Sequence, residues 1–198
     1  MARPIQIKPE AILAAARDVF LERGIRATTA EVASRAGVSE GSVFKRFHSK
    51  FELFRAAMGE LLEEPTFLRD LSKKVAKGDL ERNLNKLGVE IIEYFRSIMP
   101  LIMMSWSNPA RDGLPSLLAG ADPPPLRAIR KLASYFDAEM TAGRMRRTNA
   151  DLVARAFLGG LNHYAFTEVL LRERGGPPLS PAAYVRGFVQ LMFKGLDV

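Results

Sequence analysis

Between Thr28 and Lys50 the sequence TTAEVASRAGVSEGSVFKRFHSK sets hydroxyls, carboxylates and cations among small apolar residues. Side chains of these types do two kinds of work on a polyanion. Cations and hydroxyls hold phosphates, and short polar side chains exchange hydrogen bonds with base edges. Lys45, Arg46 and Lys50 suit the first task through counterion release. Ser39, Ser42 and Lys45 suit the second. Residues 1–50 hold nine Lys/Arg against five Asp/Glu, while the other 148 residues hold 20 against 17. Excess positive charge so placed raises the odds of a nucleic-acid partner. A basic surface kept for solubility is the competing reading.

Those side chains need elements to aim them. Thr28 with Glu31 three residues on is a capping box, opening a helix over about Ala30–Ala36. Gly37 takes the positive φ of a tight turn, Val38 plugs the junction and Ser39 caps a second short helix, Glu40–Phe47. With Val32, Ala33, Ala36, Val43 and Phe47 turned inward, Glu40, Ser42, Lys45 and Arg46 point away from the core. Two short helices joined this way form a helix-turn-helix, whose second helix enters a major groove. An ordinary helical hairpin is the alternative. Helices this short are not stable alone, so a scaffold is required. Pro9–Arg23 supplies one, with Ile12, Ala16, Val19 and Phe20 at helical spacing and Gly24 as a left-handed cap. Ser49 with Glu52 opens another, carrying Phe54, Met58 and Leu61 and stopped by Pro65.

The remaining sequence also reads as helix, because no stretch alternates with period two. A short helix is expected over Thr66–Lys77, ended by Gly78. Asp79 caps the next, with Leu80, Leu84, Leu87, Ile91, Phe95 and Ile98, and Pro100 is expected to break it before a short apolar helix, Leu101–Ser107. Ala110–Pro125 is a Gly- and Pro-rich loop. Leu126, Ile129, Leu132, Phe136 and Met140 mark a helix ended by Gly143. Asn149 caps one reaching about Arg172, and Ser180-Pro181 opens the last. The fold class is therefore all-α with about nine helices, divided as a reader domain over 1–50 and a helical domain over 51–198. Ala156–Thr167 carries no formal charge around three turns, so it is buried on every side, either inside one subunit or across a dimer seam. Gly159, Gly160 and Gly187 allow close crossings. Tyr94, Phe95, Met99, Met103, Met104, Trp106, Phe136, Met140 and Tyr164 suit either a core or an adaptable apolar pocket. Asn162 and His163 are polar within an apolar helix; they face a pocket or hydrogen-bond across a dimer, a satisfied structural histidine being the commoner case.

Other chemistries find little support. The chain has no cysteine and only two histidines, His48 and His163. It has no His-Glu-x-x-His, no phosphate-binding Gly-x-x-x-x-Gly-Lys and no Gly-x-Ser-x-Gly elbow. No enzyme activity, metal or cofactor is expected. The longest uncharged run, Ser97–Ala110, is shorter than the roughly 18 residues of a membrane span. The N-terminus lacks a secretory apolar stretch, which makes a cytoplasmic location the expectation.

The segment over about residues 7–55 resembles the DNA-binding domain of the TetR family of bacterial transcriptional regulators. The matching positions are Gly24, Thr28, Thr29, Ala33, Ala36, Gly37, Val38, Ser39, Gly41, Phe47, Lys50 and Leu53. The resemblance implies an N-terminal reader, a C-terminal ligand-binding domain and a homodimer through the last two helices. It further implies a palindromic operator, repression, and release by a small hydrophobic ligand lodged among Phe95, Met99, Met103, Trp106, Phe136, Met140, His163 and Tyr164. Position by position, Thr29 and Lys50 match phosphate-holding residues, with Thr28 beside them. Ser39, Glu40, Gly41, Ser42, Phe44, Lys45 and Arg46 match positions that touch bases or backbone. Phe44 departs from the usual Tyr and so lacks its hydroxyl. Glu40 sets an acid near the DNA, where it accepts from a cytosine amine or favours the helix N-terminus. Phe51 replaces a common acid. Arg3 and Lys8 form a minor-groove arm or a disordered terminus. The alternative function is a helical ligand-binding or interaction protein that has lost DNA binding.

Overall fold

Caps and left-handed turns, which are local features, set about half of the described helix ends. The computed structural model describes residues 9–58, 64–107, 122–171, 174–175 and 179–194, and among them no strand occurs. The helices are α1 (Pro9–Arg23), α2 (Thr29–Ala36), α3 (Glu40–Phe44), α4 (Lys50–Ala57), α5 (Thr66–Arg69), α6 (Leu80–Ser107), α7 (Pro124–Thr141), α8 (Ala150–Leu170) and α9 (Pro181–Lys194). Short 3-10 turns follow α1 at Gly24–Arg26 and α5 at Leu71–Lys74. Asp79 Oδ1 accepts from the Arg82 amide, Asn149 Oδ1 from Leu152 and Ser180 Oγ from Ala183, so the three expected caps are made. The chain divides into two compact units, Met1–Glu63 with Pro100–Leu117, and Glu64–Met99 with Leu118–Val198.

In the first unit α1 packs on α2 and α4, and α2 packs on α3. The core gathers Ile12, Ala16, Val19 and Phe20 with Val32, Ala33, Val43, Phe47, Leu53, Phe54 and Met58, all buried. Phe20 meets Phe54 edge to face, with centroids 4.7 Å apart and planes at 87°, a favoured arrangement of ring quadrupoles. Arg17 Nε donates to the Ala57 carbonyl at 3.1 Å, satisfying an orphan acceptor at the end of α4.

In the second unit α7 lies along α8. Phe136 meets Phe157 edge to face at 5.7 Å, and Phe157 stacks on Phe188 of α9 at 6.1 Å. A methyl group on Gly160 would stand 2.8 Å from Phe188 Cζ, so this close approach demands glycine. Arg96 of α6 and Glu168 of α8 form a two-pronged ion pair. Glu139 is fully buried. Its Oε1 accepts from the Ala76 amide at 3.3 Å, and Arg144 Nε stands 3.2 Å from Oε2. Burial and then the neighbouring Glu139 charge push the Tyr135 phenol well above its usual range.

Four local expectations change. Proline's fixed φ is itself helical, so Pro100 removes one backbone donor, yet α6 continues through it to Ser107. Thr66–Lys77 is not one helix: α5 stops at Arg69 and the 3-10 turn follows. Helix α3 ends at Phe44, although the Phe47 amide still donates to Val43 O at 2.9 Å. Glu52 reaches past its cap residue to the His48 amide at 3.0 Å, which leaves Ser49 with half of a capping box. Leu61, Arg3, Lys8 and most of the Ala110–Pro125 loop lie outside the described residues; Pro124 opens α7. Among the described residues no helix is long and apolar enough to cross a membrane.

Gly37 sits at φ 68°, with nothing within 4 Å of where a Cβ would stand. Gly37→Ala is therefore expected to cost about 1–2 kcal/mol through backbone strain alone. Urea unfolding at unchanged m-value measures it.

Candidate nucleic-acid interface

The candidate interface is built from three consecutive local devices. Thr28 Oγ1 accepts from the Glu31 amide at 3.2 Å, and Glu31 Oε2 accepts from the Thr28 amide at 2.9 Å. This complete capping box starts α2. At its end the chain turns through left-handed Gly37, and the Val38 amide donates to Ala33 O at 2.9 Å. Ser39 Oγ then accepts from the Ser42 amide at 3.2 Å, and the two hydroxyls share a hydrogen bond of 2.8 Å. Val43 and Phe47 root α3 in the core at 0% and 8% exposure.

With that side held, the opposite side faces out. Ser39, Glu40, Gly41, Ser42, Lys45 and Arg46 are exposed, and Phe44 is 43% exposed. Thr28 is exposed and Lys50 half-buried. Thr29 differs from the rest. It is buried, and its hydroxyl donates to Glu40 Oε1 at 2.6 Å. The resemblance makes Thr29 a phosphate ligand, yet here its one proton is engaged with a carboxylate.

The basic residues divide as well. Arg35 of α2 grips Glu22 of α1 with two hydrogen bonds of 2.6 and 2.8 Å, and Arg23 stands 3.5 Å from Glu31. The Arg35 guanidinium holds the Glu22 carboxyl below its usual range, and the Thr28 amide does the same for Glu31. Arg35 is thus spent on α1, a pairing across helices that a count of cations does not reveal. Lys45 and Arg46 are exposed just after α3, and half-buried Lys50 opens α4.

The apolar candidates scatter. Met99, Phe136, Met140 and Tyr164 are buried in the second unit and Phe95 is half-buried there. Tyr164 gives its hydroxyl proton to Leu179 O at 2.6 Å. Met103 is half-buried, Trp106 is 66% exposed and His163 is exposed. A groove of about 420 Å³ in the second unit is lined instead by Pro65, Phe67, Lys74, Glu90, Glu93 and Tyr94, among others. Phe67 meets Tyr94 there at 5.8 Å. Apart from Tyr94, these residues carry no apolar periodicity that would single them out.

The expectation of burial all round α8 fails within one subunit. Leu152, Ala156, Gly159, His163, Phe166 and Leu170 are all exposed, spaced by threes and fours along one stripe. On α9, Gly187, Leu191 and Phe193 are exposed too. Nothing stands within 4 Å of a Cβ built on Gly159 or Gly187.

Residues 12–57 match the family described as "Bacterial regulatory proteins, tetR family". An HTH-type transcriptional regulator of Bacillus subtilis, YvkB, is 33% identical over 100 residues, 50% of this chain and 51% of that protein. The HTH-type transcriptional repressor BepR of Brucella suis is 45% identical over 51 residues, 25% of this chain and 24% of that one. The chain thus spans about half the length of the first of these curated relatives and about a quarter of the second. The solved TetR family regulator PfmR of Thermus thermophilus aligns over 94% of this chain and 99% of its own, with TM-score 0.65 and 20% identity, a likeness of fold.

Because the pKa values of Glu22 and Glu31 are lowered on folding, their stabilisation is present above the ordinary carboxylate range and lost as the pH falls. The thermal midpoint is expected to drop from about pH 5 downward, and the double variant Glu22→Gln, Glu31→Gln to drop less. Equal slopes for the two proteins would contradict this. Taken together, the turn geometry, the outward α3 and these similarities make residues 12–57 similar to the tetR family of bacterial regulatory proteins, on a fold that the solved PfmR shares.

Proposed function

We propose that the chain is a dimeric, sequence-specific DNA-binding transcriptional regulator, a repressor that leaves a palindromic operator when it binds a small hydrophobic ligand. The observation that carries this reading is the outward face of α3, with Ser39, Ser42, Phe44, Lys45 and Arg46 exposed above buried Val43 and Phe47. Lys45, Arg46 and Lys50 supply phosphate contacts, with Thr28 beside them. Ser39, Gly41 and Ser42 lie close against the groove, and Phe44 offers an apolar contact for a thymine methyl. Repression is the activity named for the Brucella relative.

One reader covers few base pairs, and two read half-sites about 34–36 Å apart or a multiple of it. The exposed apolar stripes on α8 and α9 supply a seam for the second copy, since contiguous apolar surface of this kind marks an interface. The ligand belongs to the second unit, whose Phe95, Met99, Phe136, Met140 and Tyr164 provide adaptable apolar and aromatic walls. Met103 and Trp106 belong to the first unit, and exposed His163 enters the site only if the ligand or the partner subunit covers it.

Two experiments test this. Lys45→Ala and Arg46→Ala are each expected to weaken duplex binding and to lower the slope of log K against log salt by about one; unchanged slopes in both would remove the reader assignment. Phe166→Asp, on an exposed position, should leave the subunit folded, shift sedimentation from dimer to monomer and abolish operator binding. A dimer unaffected by that charge would contradict the seam.

A further inference from the structure

The hydrogen bond between Thr29 and Glu40 joins the first residues of the two helices of the reader. Thr29 is a rigid post. It is buried, its β-branched side chain is stiff about χ1, and the Thr28 capping box fixes the turn on which it stands. A glutamate on a helix surface ordinarily samples many rotamers. Here one carboxylate oxygen, Oε1, is held at 2.6 Å by that post, while Oε2 makes no hydrogen bond among the described residues. Glu40 is exposed and occupies the first position of α3. In a helix-turn-helix the N-terminal residues of the second helix meet base edges.

An ionised carboxylate only accepts. In the major groove guanine offers O6 and N7 and thymine O4, all acceptors, while cytosine offers its N4 amine alone and adenine an amine beside acceptor N7. A fixed acceptor at this point therefore discriminates by repulsion as much as by attraction. The same negative charge, 2.6 Å from the Thr29 hydroxyl, opposes a phosphate there.

We propose that Thr29 is a positioning residue rather than a phosphate ligand: it orients Glu40 so that the free carboxylate oxygen takes the amine of one cytosine in each half-site and turns away guanine and thymine. This rests on the reading of the chain as a DNA-binding regulator.

The test is selection of bound duplexes from a random pool by the full chain and by Glu40→Gln, Thr29→Val and Thr29→Ser, with salt titrations on sheared double-stranded DNA. The wild type should enrich half-sites with cytosine at one position. Glu40→Gln should relax that position alone, losing about tenfold or more in discrimination. Thr29→Val should relax the same position with an unchanged salt slope, and Thr29→Ser should retain the preference. Glu40→Gln enriching the wild-type sequence would overturn the proposal. So would Thr29→Val weakening all sequences equally with a salt slope lower by about one, the mark of a lost phosphate contact. If Thr29→Val does not fold, Glu40→Gln and Thr29→Ser decide. A wild type that binds no duplex at low salt fails at the regulator reading itself, and the proposal falls with it.

Discussion

A helix of five residues cannot hold itself in water. Ordering each residue costs about 1–2 kcal/mol of conformational entropy, and a single turn returns few hydrogen bonds. Helix α3 exists because both of its ends are fixed from outside and one side is anchored. Left-handed Gly37 and the Ser39 cap set its start, while Val43 and Phe47 sink into the core formed by α1, α2 and α4. That one-sided anchoring also makes its function possible. The residues not needed for packing, among them Ser42, Phe44, Lys45 and Arg46, are the ones left exposed.

Electrostatics refine the same surface. Arg35 binds Glu22 and so ties α2 to α1, and Arg23 stands by Glu31. These ion pairs lie on the α1 and α2 side, while Lys45 and Arg46 lie exposed just beyond α3. Glu40 is the exception. Its carboxylate is held by Thr29, so the one acid on this face is a placed charge rather than a mobile one. Under the proposed function, a surface arranged in this way would separate contacts that give affinity from contacts that discriminate.

Much of this was legible in the residues because it is local. A hydroxyl three residues before a carboxylate, a glycine after the last apolar position and an i, i+4 apolar pair each carry their partner within one turn, and Thr28–Glu31, Gly37 and Val43–Phe47 behave accordingly. What was not legible depends on packing between helices. Thr29 and Glu40 are eleven residues apart and meet only because α2 and α3 cross. Pro100 reads as a break when considered alone, yet the long helix passes through it. The uncharged stretch of α8 reads as buried on all sides, whereas Ala156, Gly159, His163 and Phe166 within it are exposed in the single subunit. Composition cannot tell a residue buried by its own chain from one buried by a second copy. The same limit applies to the Met and aromatic residues of the second unit, whose types suit a wall and a core equally well.

The central claim is that the outward face of α3 is the surface that meets duplex DNA. Amide hydrogen exchange of the full chain, alone and with sheared double-stranded DNA at low salt, tests it most directly. The account predicts slowed exchange over residues 39–50, with the amides inside α7 unchanged. Protection confined to α8 and α9, or none anywhere under conditions where the DNA is bound, would contradict it.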